Sequence, residues 1–394
     1  MTITGYLGAS YDSFSVSNAA RSGNTSETRV SDQSSRIIFG VKEDLGGGLA
    51  AIGQYDMRFN LDASARAQAE TTTDTTTAAP GVGAGKGLVN PQVNFAAGGN
   101  SHVGLTSSSM GTIRAGRQDV YYVDTPSLLP GGLYLAANMT PVYHSLANAN
   151  AGRTPNLLWW VSPRISGFEG TVAYSTNPLR TSNTNEAEND MGTSNAQRKG
   201  SGYMLRLNYT NGPVDATLNT MNFKSDYIGG TAYAANAGAG GADVNGNPDQ
   251  TGTNLVVKYA VTNQLKVAFG ANRGETAAFT AAGVPSKVTK ANATALSVSY
   301  DMGAWNFAGH QASRGNQTED GVEIANTGKS ITSLAATYNF SKRTAAGLMW
   351  TSLKSDAATK TGLFYQSNNA YGGQLTSVSG ETHTITSLAL RHSF

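Results

Sequence analysis

Along most of this chain apolar residues recur at every second position, and helical spacing is nearly absent. Leu205, Leu207 and Tyr209 share one parity. So do Leu255, Val257 and Tyr259; Leu296, Val298 and Tyr300; and Leu334, Ala336, Tyr338 and Phe340. The opposite parity is polar, with Arg206 and Asn208, Asn254 and Lys258, Ser297 and Ser299, Ser333, Thr337 and Asn339. Side chains of a strand alternate between faces, so this pattern specifies strands with one apolar and one polar face. The fold class that follows is all-β.

The segments come in pairs. Strands are expected over 2–14, 34–43, 49–59, 102–108, 112–118, 154–164, 168–177, 201–210, 214–224, 253–261, 265–273, 292–301, 304–314, 330–340, 343–354 and 382–394, about 16 in all. Within a pair the connection is a tight turn such as Ser166-Gly167, Asn211-Gly212 or Met302-Gly303. Between pairs it is long and low in complexity, as in AETTTDTTTAAPGVGAGKG. An even number of strands, with short turns on one side and long loops on the other, describes a transmembrane antiparallel β-barrel with short periplasmic turns and long extracellular loops. Tyr209, Tyr259, Tyr300, Tyr338 and Phe340 gather beside the short turns, where an aromatic girdle sits at a membrane interface. A soluble sandwich would also alternate, but with its apolar face inward and no reason to collect aromatics at one end. Residues 1–394 read as a single domain.

Average hydropathy does not decide the matter. The mean of −0.29 suits a soluble protein, and it equally suits a barrel in which one face of each strand meets lipid. No apolar run reaches the ~18 residues of a membrane-spanning helix. The chain opens in strand pattern at MTITGYLGASY, as a mature exported form with an added Met1 would. With 28 Lys and Arg against 26 Asp and Glu the net charge is +2, which implies no nucleic-acid partner. The absence of Cys excludes disulfides and thiolate chemistry.

Catalytic motifs fail, and no cofactor is implied. GVGAGKG (81–87) is one residue short of a phosphate loop and no Ser or Thr follows Lys86. The His residues at 102, 144, 310, 383 and 392 lack metal-ligand spacing, so no metal site is expected. His144-Ser145 is adjacent in a loop, without an identifiable third group. Asp243-Val244-Asn245-Gly246-Asn247 resembles a calcium loop, but its Gly comes two positions early, and a solvated turn is the better reading.

One stretch breaks the alternation. In NLLWWVS (156–162) both parities are apolar, so this strand must be covered on both faces.

Taken together, SSRIIFGVKEDLGGGLAAIGQYDMRFN, GTIRAGRQ, SPRISGFEGTVAYS and the end LALRHSF resemble the general-diffusion porins of Gram-negative bacteria, in particular their β-proteobacterial branch. The resemblance implies an outer-membrane homotrimer of 16-stranded barrels in contact with lipid and lipopolysaccharide. Each barrel would hold a water-filled pore, narrowed by the third long loop folded inside, through which small solutes and ions diffuse passively. Phe394, with Leu390 and Leu388 on its face and His392 between, resembles the signal read by the barrel-assembly machinery.

Loop three would be the constriction, residues 119–152. It carries the acids Asp119 and Asp124, the base His144, and Tyr121, Tyr122, Tyr134 and Tyr143. A loop this apolar suits lying against a wall. Arg36 has inward parity and matches the family's eyelet arginine. Arg117 has outward parity in a regular strand, yet its GRQ context resembles the second eyelet arginine, which turns inward as the strand ends. Arg58, Arg114, Arg153, Arg206 and Lys258 also read as lumen-facing, and with Arg36 and Arg117 these seven outnumber the five inward acids, Asp56, Asp215 and Asp301 with the loop pair. Fixed positive charge lowers the barrier to anions, so mild anion preference is expected. The family's third basic residue, in the middle of the sixth strand, falls here on Trp159 or Val161. That departure points to an alternative, a substrate-specific porin for aromatic or carboxylate compounds, with Trp159 and the tyrosines lining the eyelet. Parity leaves open whether Trp159 or Trp160 faces inward.

Overall fold

The computed structural model describes residues 1–18, 25–58, 61, 99–121, 124–144, 146, 154–176, 178, 200–225, 249–279, 285–360, 363 and 378–394. The motifs at 81–87 and 243–247, and the candidate residues Tyr122 and Arg153, lie outside them.

All pairings in the wall are antiparallel, and most strands pair with the next along the chain. In chain order they are β1 (Thr2–Ser17), β2 (Ser26–Asp32), β3 (Arg36–Gly46), β4 (Leu49–Arg58), β5 (Ser101–Ser107), β6 (Gly111–Gln118), β7 (Thr154–Val161), β8 (Phe168–Ser175), β9 (Gly200–Asn211) and β10 (Val214–Ser225). Then come β11 (Asp249–Ala260), β12 (Leu265–Phe279), β13 (Pro285–Met302), β14 (Trp305–Arg314), β15 (Gln317–Glu319), β16 (Val322–Ile324), β17 (Lys329–Asn339), β18 (Thr344–Ser355) and β19 (Thr382–Ser393). The last strand returns to the first, from Tyr6 opposite Ser393 to Ser17 opposite Thr382. Phe394 completes the seam by exchanging two 3.1 Å backbone hydrogen bonds with Gly5. Closure leaves no sheet edge, the condition for a sheet in a membrane.

Two corrections to the expected strands follow. β2 was not expected, and it shares one wall position with β3, both pairing with β1. Between them Gln33, Ser34 and Ser35 break the strand, with Ser34 at φ 69°. The break is held locally, because the Asp32 carboxylate accepts from the Ser34 and Ser35 amides at 2.7 and 3.1 Å. β15 and β16 form a small hairpin on the long-loop side. Nineteen segments therefore build a sixteen-stranded barrel, as the alternation implied.

The faces follow parity. Leu205, Leu207, Leu255, Leu296, Val298, Leu334 and Leu348 are exposed on the outer surface. Near the short turns Trp305 packs edge-on to Tyr338 at 5.0 Å, Tyr338 to Phe340 at 5.0 Å, and Phe168 against Tyr209 at 4.6 Å, forming the girdle. Inside, the apolar core is confined to where the loop after β6 meets the wall.

Candidate pore constriction

The described residues between β6 and β7 fold into the barrel and along its inner wall. Among them are a 3₁₀ turn (Leu135–Ala137) and a helical turn, α1 (Thr140–Tyr143). Apolar content drives this. Leu133, Met139, Val142 and Tyr143 are buried against Phe14, Ile331, Met349 and Ile385 of the wall.

Polar groups fix the register of loop on wall. Arg206 of β9 and Asn219 of β10 each donate to the Asp124 carboxylate at 2.5 Å. The Asn254 amide of β11 donates to the Asp124 carbonyl at 2.6 Å, and its oxygen accepts from the Tyr143 hydroxyl at 2.6 Å. Asn272 of β12 donates to the Tyr121 hydroxyl at 2.6 Å and lies 3.1 Å from His144 Nδ1. His144 Nε2 is 3.2 Å from the Asp124 carbonyl, which can only accept, so Nε2 carries the proton and Nδ1 accepts from Asn272. Further along, the Tyr134 hydroxyl meets Thr337 at 2.8 Å, and Gln33, in the strand break, accepts from the Leu135 amide at 2.6 Å. Burial lowers the His144 pKa to about 4, against a smaller opposing effect of the Asp124 carbonyl. Burial raises the Asp124 carboxyl, which Arg206 partly offsets. It also raises the hydroxyls of Tyr121, Tyr134 and Tyr143.

Three wall glycines receive the loop's tyrosines. A Cβ on Gly252 would collide with the Tyr121 hydroxyl, one on Gly270 with that of Tyr143, and one on Gly347 with that of Tyr134. All three have inward parity, which marks them in sequence as places where something approaches the backbone closely.

Between the loop and the opposite wall lies a cavity of about 380 Å³, the candidate eyelet. Arg36, Arg58, Lys258, Asp119 and Tyr6 line it together with the loop stretch from Leu129 to Leu135. Arg36 is held in place. Its guanidinium donates to the Ser34 hydroxyl at 2.7 Å and lies 4.9 Å over the Tyr6 ring, with Arg391 at 5.6 Å over the same ring. Asp56 lies behind, 3.7 Å from Arg36 and 3.2 Å from Arg58. One carboxylate thus serves two guanidinium groups, and net positive charge remains.

The candidates from sequence divide accordingly. Arg36 and Asp119 line the eyelet. Asp124 and His144 latch the loop. Arg114 faces inward but away from the eyelet, 6.0 Å over the Trp159 ring. Arg117 lies in a β-bulge between Gly116 and Gln118, opposite Ser101, and is not part of the eyelet lining. The aromatic-lined eyelet is corrected: Tyr121, Tyr143 and Trp159 are buried at 1%, 0% and 4% exposure, because their rings glue the loop to the wall. Among the described residues, the aromatic lining of this cavity is Tyr6 and Tyr134. Tyr6 and Arg391 were missed, although both have inward parity in β1 and β19.

The fold decides the NLLWWVS stretch, which parity left open. Trp160 is outside, 41% exposed, donating to the Met110 carbonyl at 2.8 Å. Trp159 is inside, packed with Leu157, Met204, Met221 and Phe223 under the start of the loop at Val120 and Tyr121.

Solved structures share this architecture. The chain aligns over its full length with 99% of an anion-selective porin from Comamonas acidovorans, at TM-score 0.66 and 20% identity. It aligns equally over its full length with 99% of the trimer form of OmpT from Vibrio cholerae, at TM-score 0.58 and 12% identity. The outer membrane channel DcaP of Acinetobacter baumannii is covered to 96%, at TM-score 0.59 and 11% identity. No curated protein sequence matches the chain. The family model of the Gram-negative porins matches residues 1–358, and the chain belongs to that family, channels that cross the bacterial outer membrane on strands.

Proposed function

We propose that the barrel is a passive diffusion pore for small hydrophilic solutes and ions, with mild preference for anions. The observation that carries the preference is the cavity lining, where, among the described residues, Arg36, Arg58 and Lys258 stand with the acid Asp119, and Asp56 lies behind the two arginines. Fixed positive charge in a low-dielectric wall favours anion entry. The anion selectivity named for the Comamonas porin supports the same reading. Reversal potential across a bilayer in a salt gradient tests it: the sign expected is that of anion preference, and a cation-selective value overturns it.

The working unit in this reading is a homotrimer in lipid and lipopolysaccharide, supported by the trimer form of the Vibrio barrel. Exposed Phe394, Leu390 and Leu388 on one outer face support recognition by the barrel-assembly machinery. Closure of single-channel current in three equal steps is the expected signature of the trimer.

A further inference from the structure

Beneath the constriction loop, toward the short turns, lies a second cavity of about 210 Å³. Its charged lining mixes signs: Arg164, Arg206 and Lys258 with Asp124 and Asp215. Two of the cations are already engaged. Arg206 holds Asp124 at 2.5 Å, and Arg164 reaches Glu169 at 3.4 Å.

Lys258 and Asp215 differ from these. They stand opposite each other on β11 and β10 with the same inward parity. Cross-strand neighbours of opposite charge ordinarily pair directly. Here neither side chain makes an ion pair or hydrogen bond among the described residues, and both line the cavity. Thr210, Thr217 and Asn208 also line it, with the Thr217 hydroxyl donating to the Asn208 oxygen at 2.9 Å and the Asn208 amide to Glu169 at 3.2 Å. Lys258 and Thr125 also line the eyelet cavity, so a solute leaving the eyelet meets this pair next.

We propose that the lower cavity is a subsite for small zwitterionic solutes of the α-amino acid class, the carboxylate taking Lys258 and the ammonium taking Asp215. A simple anion would meet Asp215 and Asp124, and a simple cation would meet Lys258 and Arg206. A zwitterion satisfies both signs at once, and discrimination rests on that difference. A hold loose enough to release suits conduction, which needs weak sites in series. The inference rests on the reading of the barrel as an open pore.

The test is single-channel current through the purified protein in dilute KCl, with glycine or alanine added, and with acetate or methylammonium as singly charged controls. Glycine and alanine are expected to reduce the current in a concentration-dependent way at neutral pH, beyond either control. Asp215→Asn and Lys258→Gln should each weaken that block about tenfold, the factor that corresponds to ~1.4 kcal/mol. The charge swap Asp215→Lys with Lys258→Asp should restore it, which separates lost recognition from a damaged barrel. Glycine no more effective than acetate, or block unchanged in both single variants, overturns the subsite while the unaltered chain still conducts. An unaltered chain that gives no conductance steps overturns the pore reading itself.

Discussion

Arg206 donates to Asp124 at 2.5 Å, and through that pair the β9 wall holds the constriction loop just past its start. Asp124 is largely buried, and Asn219 completes its hydrogen bonds. Removing one partner of such a pair leaves the other charge without compensation, at a cost of about 3–5 kcal/mol for a fully buried pair. Arg206 keeps a quarter of its side chain exposed, so the cost falls below that range. Arg206→Gln is expected to loosen the loop without dismantling the barrel. Open-channel current noise should rise, and heat-induced unfolding on a gel should shift little. Unchanged noise would show that the loop does not depend on this pair.

Trp159 is expected to matter for stability and not for selectivity. Its ring is enclosed by Leu157, Met204, Met221 and Phe223, and truncation of a buried Trp costs about 3–5 kcal/mol. Trp159→Ala should lower the temperature at which the folded band disappears on a gel, with the reversal potential unchanged. A shifted reversal potential with full stability would place the ring in the solute path.

Parity made the barrel legible. It gave the strands, the outer band, the girdle and the inward set Arg36, Arg58, Arg206 and Lys258, because a strand repeats every two residues whatever surrounds it. It could not give what covers an inward face. Trp159 was expected at the eyelet from the departure in the sixth strand, and Tyr121 and Tyr143 from the constriction loop, and the loop folded against the wall made those positions dry. β2 was missed because SETRVSD alternates polar residues with only Val30 among them. Asp12 shares the inward parity of Phe14 and could have been counted among the inward acids. Arg391 lies between Leu390 and His392, in a segment read for its outer face alone.

Charge at the eyelet should be adjustable through Asp56. It sits behind Arg36 and Arg58 and neutralises part of their field. Asp56→Asn is expected to move the reversal potential further toward the anion value, and Arg36→Gln to move it back. Both effects should shrink at high salt, where the Debye length falls to ~3 Å at 1 M. Equal shifts in the same direction would mean the two side chains do not act through their charge.

Acid should loosen the loop through His144. Burial holds its pKa at about 4, below the ordinary 6.5. For a base whose folded pKa is depressed, the stabilisation is complete above the ordinary value and is lost as pH falls toward the folded one. The window is therefore from about pH 6.5 down to about pH 4. Asp124 works in the opposite sense, since its raised carboxyl gains from protonation, although that also ends its ion pair with Arg206. His144→Gln isolates the histidine by removing the titration and keeping an amide donor for the Asp124 carbonyl. Current noise in the unaltered chain should grow across the window and stay flat in the variant. Identical profiles would assign the acid response to another group.

The wall glycines set how closely the loop lies. Tyr134 rests on Gly347 and Tyr143 on Gly270, and in each case an added methyl would occupy the place of a hydroxyl oxygen. These hydroxyls also hold the loop, through Thr337 and Asn254. A methyl group at Gly270 must push Tyr143 and the Pro126 ring away from the wall and toward the lumen, because the strand behind is pinned by pairing on both sides. Ordinary Gly→Ala changes in a strand are mild or favourable to stability. Gly270→Ala is thus expected to keep the barrel folded and to narrow the passage, whereas Gly347→Ala also meets the Ala336 carbonyl of the paired strand and should in addition lower the barrel's stability. The measurement is single-channel conductance together with the exclusion limit for neutral sugars in liposome swelling, both of which should fall. Pairing Gly270→Ala with Tyr143→Phe should recover part of the loss, since the nearest colliding atom there is the hydroxyl oxygen. Full conductance in both single variants would mean the loop can shift along the wall without closing the pore, and that the tyrosines do not set its width.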